Sequence, residues 1–238
     1  MKRVVAILVL AVPAFAQFSP RPADAVVPVV GSTAGQANGQ FRTELQLANA
    51  GSTASAGWLM LRPQGLIRRF DLPARGTLSF ADIVAEMGGN GLGSLDILVD
   101  RGTLPTIVAR AYDDQPTGTT GVSVPAVLLG DILSRNDVAW LIVPRDLGRY
   151  RFNIGVRAMD EGATLDFTVR NAAGTTRGAR SVAFDANAFV QQGANALVGL
   201  TLEANDSIEV RIAAGSAIVY ATTVDNATND GSLQLLRR

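Results

Sequence analysis

"YRFNIGVRAMDEG", residues 150–162, sets Tyr150, Phe152, Ile154 and Val156 on one side and Arg151, Asn153 and Gly155 on the other. Successive side chains of a β-strand point to opposite faces, so a period of two predicts a half-buried strand with one wet face and argues against a helix. "LDFTV" (165–169) and "SIEVRI" (207–212) repeat the pattern, with Leu165, Phe167 and Val169, then Ile208, Val210 and Ile212, facing inward. Between such runs lie "ANAGSTASAG", "RPQG", "RNAAGTTRG" and "AAGS", rich in residues that tolerate tight or left-handed backbone, and these are expected as turns.

The opening stretch has an earlier counterpart. "FRTELQLANAG" (41–51) shares its aromatic-Arg start and its expected closing Gly-containing turn, "GWLMLRPQG" (57–65) matches "TLDFTVRNAAG" (164–174), and "GSLDILVDRGTLPTIVARAYDD" (93–114) matches "DSIEVRIAAGSAIVYATTVDN" (206–226). The offset is 109 at Phe41/Tyr150 and 112 at Asp113/Asp225, so the order is kept with a drift of three residues. That points to internal duplication. One segment departs from period two: "SFADIVAEM" (79–87) spaces Phe80, Ile83, Val84 and Met87 helically, with Ser79 and Asp82 in capping-box spacing and "GGNG" as a stop. The second copy offers "FDANAFVQQG", with Asp185 as a cap before Phe189 and Val190. The expected fold is therefore all-β: two tandem Ig-like antiparallel β-sandwich domains related by duplication, 27–132 and 133–238, each with a short helical crossover between sheets. The boundary falls in "LGDILSRND" (129–137), after which "VAWLIVP" opens the second domain as "AVVPVVG" opens the first.

On "GQFRTELQLAN" (39–49) and "YATTVDNATND" (220–230) the chain resembles a group of exported bacterial proteins, and modules of larger secreted ones, with tandem Ig-like β-sandwich repeats. The likeness covers nearly all of 27–238. It implies a structural repeat and brings no biochemical activity with it.

Residues 1–16, "MKRVVAILVLAVPAFA", have a basic start, an apolar run from Val4 to Val12 and a small-residue cleavage site, the parts of a secretory signal. A linker, 17–26, follows. The expected location is exported, extracellular or periplasmic, with no membrane span, since no stretch approaches the roughly 20 apolar residues a spanning helix needs. Cleavage removes Lys2, the only lysine, and the chain has no histidine or cysteine. Histidine triads, thiol nucleophiles, Schiff bases and His/Cys zinc sites are thereby excluded, leaving carboxylate, hydroxyl and arginine chemistry. The mature chain carries 19 arginines against 21 carboxylates, without the clustered basic excess of a nucleic-acid binder.

"VDNATND" (224–230) presents Asp225, Asn226 and Asp230, oxygen donors that suit either a calcium loop or a strand-closing Asx turn. EF-hand spacing is absent, and two carboxylates are few for a shell of six to eight oxygens. "GGNGLGSLD" (88–96) follows a helix and precedes a strand, the wrong polarity for a dinucleotide loop, and reads as a connector. Asp113, Asp114 and Asp225 could furnish a hydrolase pair, although nothing marks two of them as facing across a cleft. Trp58 and Trp140 sit in apolar runs and are expected in the core rather than on a sugar-stacking face. The functional expectation is a non-catalytic exported structural, adhesive or protein-interaction module without a cofactor, calcium at the 225–230 corner being the one candidate ion. The alternatives are a carbohydrate-binding or calcium-dependent lectin-like module, with a protein or cell-surface polysaccharide partner, and a carboxylate-based hydrolase.

Overall fold

The computed structural model describes residues 21–35, 39–116 and 118–237. The expected signal segment and the first four linker residues lie outside that range. Among the described residues the chain is nearly all β, in two antiparallel sheets, and no helix is long and apolar enough to cross a membrane.

The first sheet is built from β1 (Ala25–Ala34), β2 (Gln40–Ala48), β3 (Ser55–Arg62), β4 (Leu66–Leu72), β5 (Thr77–Phe80), β6 (Gly91–Arg101), β7 (Thr106–Gln115), β8 (Gly118–Ser123) and β9 (Val127–Leu128). Strand β1 begins two residues before the expected domain start and belongs to two ladders. Its residues 25–32 pair with β6 in a back ladder, β4-β3-β6-β1-β9, while Thr33 and Ala34 pair with β2 in a front ladder, β5-β2-β7-β8. At the crossing the buried Thr43 hydroxyl accepts from Gly31 N at 2.7 Å and donates to Gly31 O at 3.1 Å, so neither backbone group is left unpaired. Leu45, Leu47, Leu59, Leu61, Phe70, Leu95 and Ile97 pack together between the ladders.

The second sheet contains β10 (Leu133–Ser134), β11 (Val138–Ile142), β12 (Tyr150–Arg170), β13 (Thr176–Phe184), β14 (Phe189–Gly193), β15 (Ser207–Asp225) and β16 (Gly231–Leu235). Here β12 and β15 each run through both ladders. Their outer ends, Tyr150 to Ala158 and Ala217 to Asp225, form a front ladder with β14 and β16, and residues 163–170 and 207–215 form a back ladder with β13 and β11. The turns expected at the end of "YRFNIGVRAMDEG" and at "AAGS" are instead bends inside continuous strands. Gly162 and Gly215 both adopt positive φ, and a Cβ on Gly215 would stand 2.0 Å from Gly162 O, so the strands bend at one shared point without separating. On β11, Ile142 is bracketed by the Gln234 amide, which accepts from its N–H at 3.0 Å and donates to its C=O at 2.9 Å.

Among the described residues the two α-helices are single turns and start later than their sequence signals. In α1 (Ile83–Glu86) the cap is Asp82, which accepts from Ala85 N at 3.2 Å, while Glu86 accepts from Ala81 N at 3.0 Å. Asp185 caps nothing: Phe189 and Val190 lie in β14, and α2 (Ala194–Val198) follows from Gly193. Arginines on the neighbouring strands meet both helix ends, Arg68 donating to Glu86 O and Arg180 to Ala196 O and Leu197 O.

The wet face expected for residues 150–156 is dry at its centre, because it packs on the first half. Gly155 stands opposite Tyr220, whose ring would lie 1.9 Å from any Cβ there, and the absent side chain lets the ring enter the first half's core. The Tyr220 hydroxyl donates to Gln191 at 2.7 Å. Next along, the Arg157 guanidinium is fully buried and donates to both oxygens of Asp96 on β6, at 3.1 and 2.9 Å, and to Asn187 at 3.0 Å. Arg62 reaches the same carboxylate at 3.1 Å. Val26 stands opposite Asp96 and Ile218 opposite Arg157, and both belong to a buried cluster with Val127, Ile132 and Met159.

Arg157→Ala leaves Asp96 buried with only Arg62 beside it, and is expected to cost about 3 kcal/mol, the low end for a broken buried pair. Arg157→Met with Asp96→Leu removes both charges and is expected to recover most of that loss in urea titrations. A double variant no more stable than the single one would reject the pair as the seam's organising contact.

Candidate functional site

Where the halves separate beyond Tyr220, the seam opens into a cleft of about 460 Å³. One wall is the continuation of the second half's front ladder: Asn153 opposite Thr222 and Arg151 opposite Val224, with Gln191 of β14 and Leu233 of β16 beside them. The other comes from the first half, where Val29 and Gly31 of β1, Phe41 of β2, Leu92 of β6 and Val122 of β8 face it. The cavity is mainly apolar, with polar groups contributed by both walls, Thr33, Arg42 and Thr43 from the first half and Arg151, Asn153, Gln191 and Thr222 from the second, and its size lies within the range of small-molecule sites. Among the described residues the lining includes two guanidiniums, Arg42 and Arg151, and no carboxylate.

The 225–230 corner forms one rim of this cleft through Asn229. Strand β15 ends at Asp225, which pairs with Tyr150 just as Asp113 pairs with Phe41. The chain then turns: Asn229 N donates to Asp225 O at 3.0 Å, Asp225 N to Asp230 O at 2.8 Å, and Asn229 adopts φ +56. Asp225 accepts from Ala227 N at 2.8 Å and from Arg149 Nε at 2.8 Å, and these two donors hold its carboxyl below the usual carboxylate range. Asn226 accepts from Arg151 at 3.1 Å and donates to Gly148 O at 3.2 Å, and Asp230 accepts from Gly231 N at 3.0 Å. The three candidate calcium ligands thus share one turn, with both carboxylate oxygens of Asp225, the Asn226 amide oxygen and one oxygen of Asp230 engaged by N–H groups and arginines. Among the described residues no three acidic side chains gather as a metal cluster.

Asp113 is brought to the same corner from a distance of 116 residues. It is 1% exposed and accepts from Gln40 N at 2.6 Å, Gln115 at 3.0 Å and Asn229 at 3.0 Å. Burial alone would raise its carboxyl, but the bonds from Gln115, Gln40 and Asn229 outweigh burial and hold it below its ordinary value. Arg151 completes the chain by donating to Asn229 Oδ1 at 3.0 Å. Asp114 lies outside, 3.5 Å from Arg42.

The remaining sequence candidates fall elsewhere. The glycine stretch at 88–96 is partly strand, since β6 starts at Gly91. Trp58 is half-buried under Arg69, and Trp140, expected in the core, is 46% exposed. The cleft residues Asn153, Gln191 and Thr222 carry no motif. The one signal in the sequence is the outward row of residues 150–156, which carries Asn153 and places Gly155 opposite Tyr220. Neither protein-family models nor curated proteins give a match to this chain.

Two outcomes follow from the corner. The unfolding midpoint is expected to be the same in calcium and in EDTA, and a rise with calcium would place an ion on Asp225, Asn226 and Asp230. Because the folded Asp113 carboxyl is lowered, its contribution is present above the unfolded value of about 3.9 and is lost as pH falls through the folded one. The stability deficit of Asp113→Asn should therefore be full at pH 7 and shrink toward pH 3, and a deficit that stays constant would show that the ionised form is not what the corner stabilises.

Proposed function

We propose that this protein is an exported, non-catalytic module that acts by binding, in a structural, adhesive or protein-interaction role, and that it consists of two tandem Ig-like sandwich units, 27–132 and 133–238, derived from one by duplication. The duplication is supported by matched details. Phe41 with Asp113 and Tyr150 with Asp225 hold the same register, Arg62–Asp96 and Arg170–Glu209 are the same ion pair in the two back ladders, and Arg68 and Arg180 serve the same helix ends. The two halves nevertheless differ where they meet.

The observation that carries the binding reading is the cleft at the seam, about 460 Å³ and lined from both halves. Its apolar walls suit a ligand, or a partner's inserted side chain, with an apolar body and one hydrogen-bonding end toward Arg151, Asn153, Gln191 and Thr222. A glycosidase pair would need one carboxyl kept protonated by its surroundings, whereas Asp113 and Asp225 are both shifted the other way.

The test is a thermal-shift screen of the full chain against apolar-bodied small molecules bearing amide, hydroxyl or carboxylate ends, beside a Val122→Trp variant that fills the cleft. A ligand that stabilises the wild type and not the variant is the expected result. If no compound raises the midpoint, or if every stabilising compound acts equally on both proteins, the cleft is not the binding place.

A further inference from the structure

The back ladder of the first half is the surface on which the second half docks. Its central row is Val26, Asp96 and Met60, joined side by side across β1, β6 and β3 and buried by the contact, with Leu98 in the next row at 4% exposure. The second half carries the counterpart of this row in its own back ladder: Trp140, Glu209 and Thr168 lie side by side across β11, β15 and β12. The ion pair is kept, Arg170 standing 3.1 Å from Glu209 as Arg62 stands 3.1 Å from Asp96. This second face is open. Val138, Trp140 and Ile142 are 43%, 46% and 55% exposed on one side of β11.

The differences between the two faces indicate what the open one receives. Val26 is replaced by a tryptophan, Met60 by Thr168, and Leu98 by Arg211, which lies opposite Asp166. The aliphatic contacts that make the first face dry have become hydrogen-bonding groups around one large aromatic ring. Two arginines, Arg170 and Arg211, alternate with two carboxylates, Glu209 and Asp166, so the patch has no net charge. Arg170 also lies over the Trp140 ring, 5.9 Å from its centre, within the range of a cation–π contact.

A pyranose has the matching chemistry: a face of C–H bonds that stacks on an indole π-surface and a rim of hydroxyls that both donate and accept. The Arg170–Glu209 pair supplies donors and acceptors together, and the balance of Arg170 and Arg211 against Glu209 and Asp166 favours an uncharged chain over an acidic one. We propose that the outer face of β11, β15 and β12 binds a neutral polysaccharide, with Trp140 as the stacking platform and Arg170, Glu209, Thr168 and Arg211 as hydroxyl partners. The face is separate from the cleft, so either site can fail without the other.

The test is affinity electrophoresis of the intact chain in gels containing dextran, pullulan, xylan, galactomannan or laminarin, with alginate and heparin as acidic members. A Trp58→Phe background lets fluorescence report on Trp140 alone. At least one neutral polysaccharide is expected to retard the protein and shift the Trp140 emission. Trp140→Ala, checked for fold by circular dichroism, should weaken that binding at least about tenfold, the scale of one lost stacking contact. Val108→Ala, on the front ladder of the first half, should leave it unchanged. The proposal is overturned if no neutral polysaccharide retards the protein, if Trp140→Ala binds as well as wild type, or if only alginate or heparin binds. It is likewise overturned if the face proves to hold a second copy of the chain, seen as concentration-dependent association that Trp140→Ala abolishes.

Discussion

A guanidinium with no exposure, held by a carboxylate from the other half of the chain, is the constraint around which this molecule is arranged. Burying either Arg157 or Asp96 alone would be costly, and the pair persists because its partners are in place: two bonds to Asp96, one each to Asn187 and Ala158 O, and Arg62 on the same carboxylate. Gly155 has to lack a side chain so that Tyr220 can lie down beside this pair, and burial pushes the Tyr220 phenol well above its ordinary value. The halves are therefore held in one orientation by contacts that tolerate little sliding, and the cleft beyond Tyr220 inherits its shape from them.

Much of the strand content was readable in the sequence, for a physical reason that also explains where reading failed. Residues 163–170 and 207–212 have one wet face, so their composition alternates and their inward residues are evident. At 155–159 and 217–221 both faces are buried, and alternation disappears exactly where the most consequential packing occurs, leaving only a glycine opposite a tyrosine as a sign. Gly162 and Gly215 carry the local signature of a turn, because a turn and a bulge ask the same thing of a residue, a positive φ. Nothing local distinguishes a chain that reverses from one that bends and continues. Trp140 sits in an apolar run in the sequence, but on an edge strand the ring's side is set by tertiary pairing.

The corner at Asp113 and Asp225 shows the same division. Their matched places can be seen by laying one half of the sequence over the other, and the structure pairs Asp113 with Phe41 and Asp225 with Tyr150. What no local pattern conveys is that Asn229 reaches back across the seam to Asp113, joining the closing turn of one unit to the strand end of the other. The divergence between the halves is as informative as their likeness. Where the first unit's back ladder is aliphatic it is covered by protein, and where the second unit's carries Trp140 and Arg211 it is left to solvent.

The side chain of Gln234 has a bearing on how such a molecule behaves in a crowd. An exposed β-strand offers its free N–H and C=O groups to any extended segment that drifts past, and a protein displaying a flat aromatic face beside such an edge is at particular risk of zipping onto its neighbours. By presenting one amide to both groups of Ile142, Gln234 occupies the place where an intruding strand would make its next pair of bonds. The ladder thus ends on a stopper supplied by its own chain, and the face beside it can stay uncovered without becoming a seed for aggregation.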